Sequence, residues 1–352
     1  MKRKMGFGVV LVMVVALAAL SFMPMINTDR WWIRLLDFPR LQASVALVVL
    51  ALPVLFYFRY FRRMAGLCLI LIASALSYHA YVLFPYLPTG SDFPVADCPA
   101  GNAITVMVAN VKMHNDPDGK LLDMVQDVQP DVLLAMETNA KWNEALAPLT
   151  KTMPHTVSHI SGSYYGIHLF SRLPLVDPQI RFLAGQEIPQ VVSGITLGNG
   201  EAVDFLGVHP RPPVPSRPDT TLARDAVLYK AGLLARERAG TAIVAGDFNA
   251  TPWETAVERM RQLGNLQDPR RSYGFVPTFS AQSWWMSWPL DQIFHEPGFA
   301  TVSLERLPSF GSDHYPFLGK FCRTAMGEDE SVPQADEELI RKAKEVIAAA
   351  SR

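Results

Sequence analysis

The apolar positions of this 352-residue chain follow two rhythms. Up to residue 91 they form long uncharged runs, from Met5 to Thr28, Leu41 to Phe58 and Met64 to Ser91. A helix crossing roughly 30 Å of hydrocarbon at about 1.5 Å per residue needs about 20 apolar residues. The runs therefore predict membrane spans over about 5–28, 41–58 and 64–86, the second at the short end. None has a one-sided apolar stripe, as suits helices that meet lipid on most sides.

From Ile104 the runs shorten. ITVMVANV, DVLLAME, GIHLFS, VVSGITLG, AVDFLGVH, TAIVAGDFN, LDQIFHE, ATVSLERL and YPFLGKF read as strands, most of them buried. Helical spacing appears in LLDMVQDV, where Leu121, Leu122, Val125 and Val128 share a face and Pro130 follows. It returns at about Thr221–Ala239 and at Glu254–Leu263, which Gly264 closes. Strands interleaved with a few helices predict an α/β layered domain. After it, GEDESVPQADEEL reads as a charged linker, and LIRKAKEVIAAA as a short surface helix or a solvated, frayed tail. The expected division is a membrane anchor at 1–91, a folded domain at 92–325 and a tail at 326–352.

Charge sharpens this division. The first 91 residues hold nine Lys/Arg and two Asp/Glu, and the rest holds 23 and 31, a formal −8. Lys2, Arg3 and Lys4 precede the first run, and Arg59, Arg62 and Arg63 crowd the second loop; after the third run no Lys or Arg occurs before Lys112. This bias places the N-terminus in the cytoplasm and everything after the third span on the periplasmic or extracellular side of the cell membrane. A signal peptide, with Ala16-Leu17-Ala18 as a weak cleavage signal, is the rival reading of the first run. The length of the run favours an uncleaved anchor, and cleavage would leave the later placement unchanged. High apolar content and a net charge near zero exclude a disordered chain. The acidic exported part shows no Lys/Arg stripe, which counts against a nucleic-acid footprint. No Cys/His cluster has zinc spacing.

Polar residues gather where strands end, the places from which loops present side chains. Asn110 and Glu137 close the first two strands, His209 follows DFLGV, Asp247 and Asn249 end TAIVA, and Asp313-His314 opens the last strand. Singly, an Asn or Asp there is an ordinary turn former. Asp291 is different, because an acid inside the apolar strand LDQIF is costly unless paired, and a His is its natural partner.

In chain order, N110-V, E137-T, FSRLPL, H209-P, GDFNATP, LDQIF and SDHYP resemble the endonuclease/exonuclease/phosphatase superfamily, the deoxyribonuclease I-like phosphoesterases. The resemblance runs from about Ile104 to Phe321 and looks most like bacterial membrane-anchored members. It implies a four-layer α/β sandwich, two mixed sheets face to face with helices outside, and a site where strand ends meet. It also implies Mg²⁺, with Mn²⁺ as substitute, held by Glu137 with Asn110 and Asp313 assisting. Asp247 would orient and deprotonate the attacking water, and Asn249 would hold the phosphate or that water. His314 would donate to a phosphoryl oxygen, Asp291 would fix its tautomer, and His209 would act on the scissile phosphate. Arg172 reads as structural. Cys98 and Cys322 would fall near the end of the fold away from the site, where a disulfide forms if their Cα atoms lie within about 7 Å, while Cys68 lies in the third span.

The sequence departs from the family pattern at Lys112, where abasic-site nucleases carry an Asp, and at Met136 before Glu137. HPRPPVPSRP makes a stiff loop after His209, and Trp284, Trp285 and Trp288 are expected to pack in their loop, with base stacking or a membrane surface as alternatives. The expected activity is hydrolysis of phosphate esters by a membrane-anchored metal enzyme. Its partners would be the bilayer, through three N-terminal helices, and a lipid headgroup, small phosphodiester or nucleic acid; no protein partner is evident. An exported nuclease and a catalytically inactive, membrane-tethered binding module are the alternatives.

Overall fold

The computed structural model describes residues 2–88, 98–99, 101–183, 188–213, 220–238, 241–271, 273–324 and 335–351. Much of the Pro-rich run, residues 214–219, and most of the charged linker, residues 325–334, lie outside the described residues. The chain forms two compact units, Met1–Leu87 with Pro213–Thr220, and Pro88–Pro212 with Thr221–Arg352.

The first unit holds α1 (Lys2–Phe22), the one-turn α2 (Trp31–Arg34), α3 (Arg40–Phe58) and α4 (Arg62–Leu83). Three of its helices are long and apolar enough to cross a membrane. Their packing is inverted relative to a water-soluble bundle. Ala18, Ala65, Cys68 and Ala75 are buried among Val14, Leu47, Val54 and Ile72, whereas Val12, Leu52, Leu55, Leu67 and Ile70 face outward. Small residues between helices let backbones approach, and large aliphatic ones outside suit lipid. Where α2 leads into α3, the charged residues Arg34, Asp37 and Arg40 pair, with Arg40 Nη2 donating to Asp37 Oδ1 at 2.6 Å.

The second unit contains two sheets. The first has six strands, ordered β10-β11-β1-β2-β4-β3, where β1 is Ala103–Asn110, β2 Val132–Met136, β3 His155–His159, β4 Ile167–Ser171, β10 Phe299–Arg306 and β11 Phe317–Arg323. The second is β5-β6-β7-β8-β9, with β5 Leu175–Phe182, β6 Pro189–Thr196, β7 Ala202–Gly207, β8 Ala242–Asp247 and β9 Asp291–His295. Ile104, Val106, Val108, Val132 and Leu134 of one sheet pack on Val191, Ile195, Phe205, Ile243 and Ile293 of the other. The outer faces are covered by helices. α5 (Lys120–Val128) and α6 (Ala140–Leu146) place Leu121, Val125, Trp142 and Leu146 on Met107, Ala109, Leu133 and Ala135. α7 (Leu222–Arg236) and α8 (Thr255–Leu263) cover Val192, Leu206, Val244 and Phe294. This is the expected four-layer α/β sandwich. Because both faces of each central strand are buried, those strands read as unbroken apolar runs.

Three elements, β3, β5 and α6, were not expected from the sequence, and a fourth, the C-terminal helix, is longer and better packed than expected. β3 (HTVSH) is a half-exposed edge strand with polar alternation, and β5 is an edge strand broken by a bulge between Val176 and Gln179 beside Pro178. α6 has only seven residues, started by Asn139 Oδ1, which accepts from Trp142 N at 3.0 Å. The C-terminal segment forms a further helix, α9 (Glu337–Ala350), capped by Asp336. Its apolar side is not solvated. Ala343 is buried, and Leu339, Ile340, Val346 and Ile347 pack on the α7/α8 core.

Candidate active site

The two central strand pairs set the position of the chemistry. β1 and β2 run parallel, with Asn110 opposite Met136, so Asn110 and Glu137 emerge together at one end. In the other sheet Asp247, last in β8, lies opposite Asp291, first in β9. Gly246 has φ 146°, and a Cβ there would stand 1.8 Å from the Val208 carbonyl oxygen. Only glycine lets β8 approach the β7 end closely enough to deliver Asp247 beside His209. Gly166 plays the same part below Glu137, where a Cβ would meet Thr138 O at 1.7 Å.

At the centre one amide joins two carboxylates. Asn110 Nδ2 donates to Glu137 Oε1 at 3.0 Å and to Asp247 Oδ2 at 3.1 Å. The Lys112 N–H donates to Asn110 Oδ1 at 2.9 Å and the Met113 N–H to Glu137 Oε2 at 3.1 Å. Three residues here, Lys112, Glu137 and Asn249, have φ of 56°, 61° and 50°. That left-handed geometry costs about 1 kcal/mol per non-glycine residue, and these hydrogen bonds hold it.

Both histidines face the same oxygen. His209 Nε2 and His314 Nε2 each lie 3.7 Å from Asp247 Oδ2. His314 Nδ1 donates to Asp291 Oδ2 at 2.7 Å, and its backbone N–H donates to Ser312 Oγ, which itself donates to the Asn110 carbonyl at 2.7 Å. Thr278 Oγ1 accepts from the Asp291 N–H at 3.0 Å. Burial alone would push His314 down, but the Asp291 and Asp247 carboxylates overcome it and raise the imidazole to about 10. Burial pushes Asp291 up, opposed by the same His314. His314 and Asp291 thus hold a proton between Nδ1 and Oδ2, and His314 presents its Nε2 side to Asp247.

Asn249 and Asp313 meet this group less directly. The Asn249 N–H donates to Asp247 Oδ1 at 2.9 Å, but its Nδ2 donates to the Pro210 carbonyl at 2.9 Å, tying the GDFNA loop to His209-Pro210. Asp313 Oδ2 pairs with Lys112 Nζ at 3.2 Å. Lys112 thus enters the site as a cation, a role invisible in its spacing. Arg172 follows β4 at the opposite end of the sheet, where its backbone N–H donates to Asp131 O. Near that end Cys98 and Cys322 form a disulfide with Cα atoms 5.6 Å apart.

Sequence reasoning also missed Arg224. Fully buried on α7, it donates from Nη1 to the Asn249 carbonyl at 3.1 Å and to Glu254 Oε2 at 3.2 Å, and from Nε to Asp225 Oδ1 at 3.0 Å. Ser312 stood beside a recognised motif and was a legible candidate. Thr278 and Arg224 carry no sequence signal, since the partners that tie them to the site, Asp291 for one and Asn249 and Glu254 for the other, lie 13 to 30 residues along the chain.

The charges leave a vacancy of sign. Asp291 is matched by His314 and Asp313 by Lys112. Glu137 and Asp247 then carry a formal −2 with no Lys or Arg beside them among the described residues. Two carboxylates at one point are hard oxygen donors, a set that fits a divalent cation, while Asn110 turns its Nδ2 to them and its Oδ1 to the Lys112 N–H. Asp247, Asp291 and His314 also offer ligand atoms within 4.8 Å of one another.

Solved structures of like fold include humanized D. rerio TDP2, at 16% identity and TM-score 0.52, covering 62% of this chain and 99% of that one. The human Nocturnin catalytic domain with bound sulfate anion aligns at 18% identity and TM-score 0.53, covering 68% and 100%. An endonuclease/exonuclease/phosphatase from Beutenbergia cavernae aligns at 16% and 0.51, covering 65% and 74%. No curated protein matches the sequence. Residues 107–314, which contain every group described at the strand ends, match the Endonuclease/Exonuclease/phosphatase family. On that match and this fold, the chain belongs to the endonuclease/exonuclease/phosphatase family, whose members hydrolyse phosphoester bonds.

Proposed function

We propose that the protein is a membrane-anchored phosphoesterase that depends on Mg²⁺, replaceable by Mn²⁺, with its catalytic domain outside the cytoplasm. The observation that carries this reading is the meeting of Asn110, Glu137, His209, Asp247, Asp291 and His314 around Asp247 Oδ2. Glu137 would hold the ion, with Asn110 and Asp247 beside it. When bound, the ion would neutralise charge on phosphoryl oxygens. Asp247, with its Oδ1 fixed by the Asn249 N–H, is placed to orient a water and accept its proton. His314, kept protonated by Asp291, is placed to donate from Nε2 to a phosphoryl oxygen, and His209 supplies a second ring nitrogen on the same side. Asn249 acts through its backbone and its tie to Pro210, rather than as a free amide. Asp313 serves through Lys112 at the rim.

The division into anchor, catalytic domain and tail is part of this proposal. Three apolar helices support the membrane association, the basic residues flanking them support an outward domain, and the Cys98–Cys322 disulfide suits an oxidising compartment. An acidic exported part favours lipid headgroups or small phosphodiesters over nucleic acid as substrate. The deciding experiment gives the full-length chain plasmid DNA, bis-p-nitrophenyl phosphate, a phosphomonoester and phospholipid vesicles, with Mg²⁺ or EDTA. Turnover of the small diester or the lipid supports the reading. Turnover of DNA alone would make it a nuclease, and none at all in a folded, cation-binding chain would make it a binding module.

A further inference from the structure

From Tyr273 to Leu290 the chain carries no Asp, Glu, Lys, Arg or His. Much of this uncharged stretch nevertheless lies at the surface. Trp284 is 94% exposed and Trp285 57%, against the preference of large aromatic side chains for burial. Trp288 packs within the loop as expected, stacking on Phe279 with ring centres 6.2 Å apart, whereas Trp284 stands out into solvent.

The loop is built to present its tip. Its backbone groups find partners within it: Phe279 N donates to Trp288 O at 2.9 Å and Ser280 N to Met286 O at 3.3 Å. Gln282 N donates to Ser280 Oγ at 3.2 Å and Met286 N to Ser283 Oγ at 3.0 Å. Internal pairing lowers the cost of moving the tip from water into an apolar medium. The base is fastened to the catalytic residues. Ala281 N donates to Asp313 O at 2.7 Å, Tyr315 N to Thr278 O at 2.8 Å, and the Phe279 ring lies 4.8 Å from the His314 ring. Arg306 donates to the Pro277 carbonyl at 3.1 Å and lies over the Tyr315 ring, placing a cation beside the base.

We propose that Trp284 and Trp285 form a membrane-docking tip, seated at the headgroup boundary of a bilayer, so that the cluster around Asp247 acts on phosphate esters carried at that surface. The second part rests on the hydrolase reading above. The occupant is a bilayer because the same chain carries three helices long and apolar enough to cross one. The chain from Leu87 to Ala103 can span at most about 60 Å. Indoles favour the interface between headgroups and acyl chains, and a neighbouring guanidinium suits anionic lipid.

The test uses the full-length chain carrying Trp31→Phe and Trp32→Phe, so that the helical unit's own indoles do not report. It is reconstituted in nanodiscs of phosphatidylcholine and phosphatidylglycerol, with or without acyl-brominated lipid. Bromolipid should quench the tryptophan fluorescence, and Trp284→Ser with Trp285→Ser should abolish most of that quenching. The same double variant should hydrolyse soluble bis-p-nitrophenyl phosphate within about twofold of the parent, since neither indole touches the cluster. Equal quenching with and without the two indoles would overturn the docking proposal. So would quenching by a single-stranded oligonucleotide and not by bromolipid, which would make the tip a base-stacking surface. A parent chain that docks but turns over no soluble diester in Mg²⁺ would remove the hydrolase reading and leave the docking result standing.

Discussion

At the scale of single residues, the site is organised by hydrogen-bond donors that hold acids together against their repulsion. Asn110 Nδ2 bridges Glu137 and Asp247, and His314 Nδ1 holds Asp291. Replacing Asp291 by Asn keeps the shape and removes the charge that favours the imidazolium. Turnover should then fall about a hundredfold or more, the range of a lost acid–base contribution. Steady-state kinetics on a soluble diester check this, and an unchanged kcat would remove His314 from proton transfer. A second prediction concerns His168 and His295, which burial lowers to about 4. Their folded values lie below the ordinary 6.5, so the unfolded chain takes up protons first as pH falls. Stability is intact above about pH 6.5 and declines toward pH 4, by about 1.4 kcal/mol per pH unit for each histidine. Urea midpoints of the full chain at pH 7 and pH 5 should show this slope, and His168→Gln should remove its share. A stability independent of pH in that window would contradict it.

At the scale of elements, Arg224 fastens α7 to the loop between β8 and α8 through Asn249 and Glu254. Arg224→Met leaves the buried carboxylates of Asp225 and Glu254 without their cation, which should cost about 3–5 kcal/mol and loosen the Asn249 loop. Thermal unfolding and kcat should fall together. Ala343→Asp separates these effects, because it puts a charge where α9 meets the α7/α8 core, far in sequence from the cluster. It should lower the thermal midpoint and leave kcat unchanged at temperatures well below it. The elements legible in the sequence were those with a strong single pattern. The central strands are buried on both faces, and α5 and α8 carry clean stripes. β3 and β5 were not legible because edge strands mix polar residues, and in β5 a proline, into the run. For α9 the sequence left a short surface helix and a frayed tail both open, because its charged face is plain in sequence whereas its counterpart on α7 is known only in three dimensions. In the site, the strand-end acids and histidines were legible as motifs. The Lys112–Asp313 pair, the Arg224 strut and the exposure of Trp284 depend on which distant segments meet, and periodicity holds no record of that.

At the scale of the whole molecule, the chain joins a helical unit with an apolar exterior to an α/β sandwich. The disulfide closes a loop of 224 residues, and in the chain-entropy view such a closure stabilises by up to about 5 kcal/mol. Cys322→Ser should therefore lower the urea midpoint of the full chain, and reductant should do the same to the parent chain alone. In cells, a C-terminal reporter active only outside the cytoplasm should be active. A reporter active only inside would invert the topology and remove the oxidising environment the disulfide suits.

The central claim is that the cluster around Asp247 hydrolyses phosphate esters with a divalent cation. Its most direct test is the hydrolysis of bis-p-nitrophenyl phosphate by the full-length chain in nanodiscs, with Mg²⁺ and with EDTA, beside Asp247→Asn and His314→Gln. Turnover is expected with Mg²⁺, none with EDTA, and a loss of about a hundredfold or more in each variant. Turnover that survived EDTA, or that both variants retained in full, would contradict it.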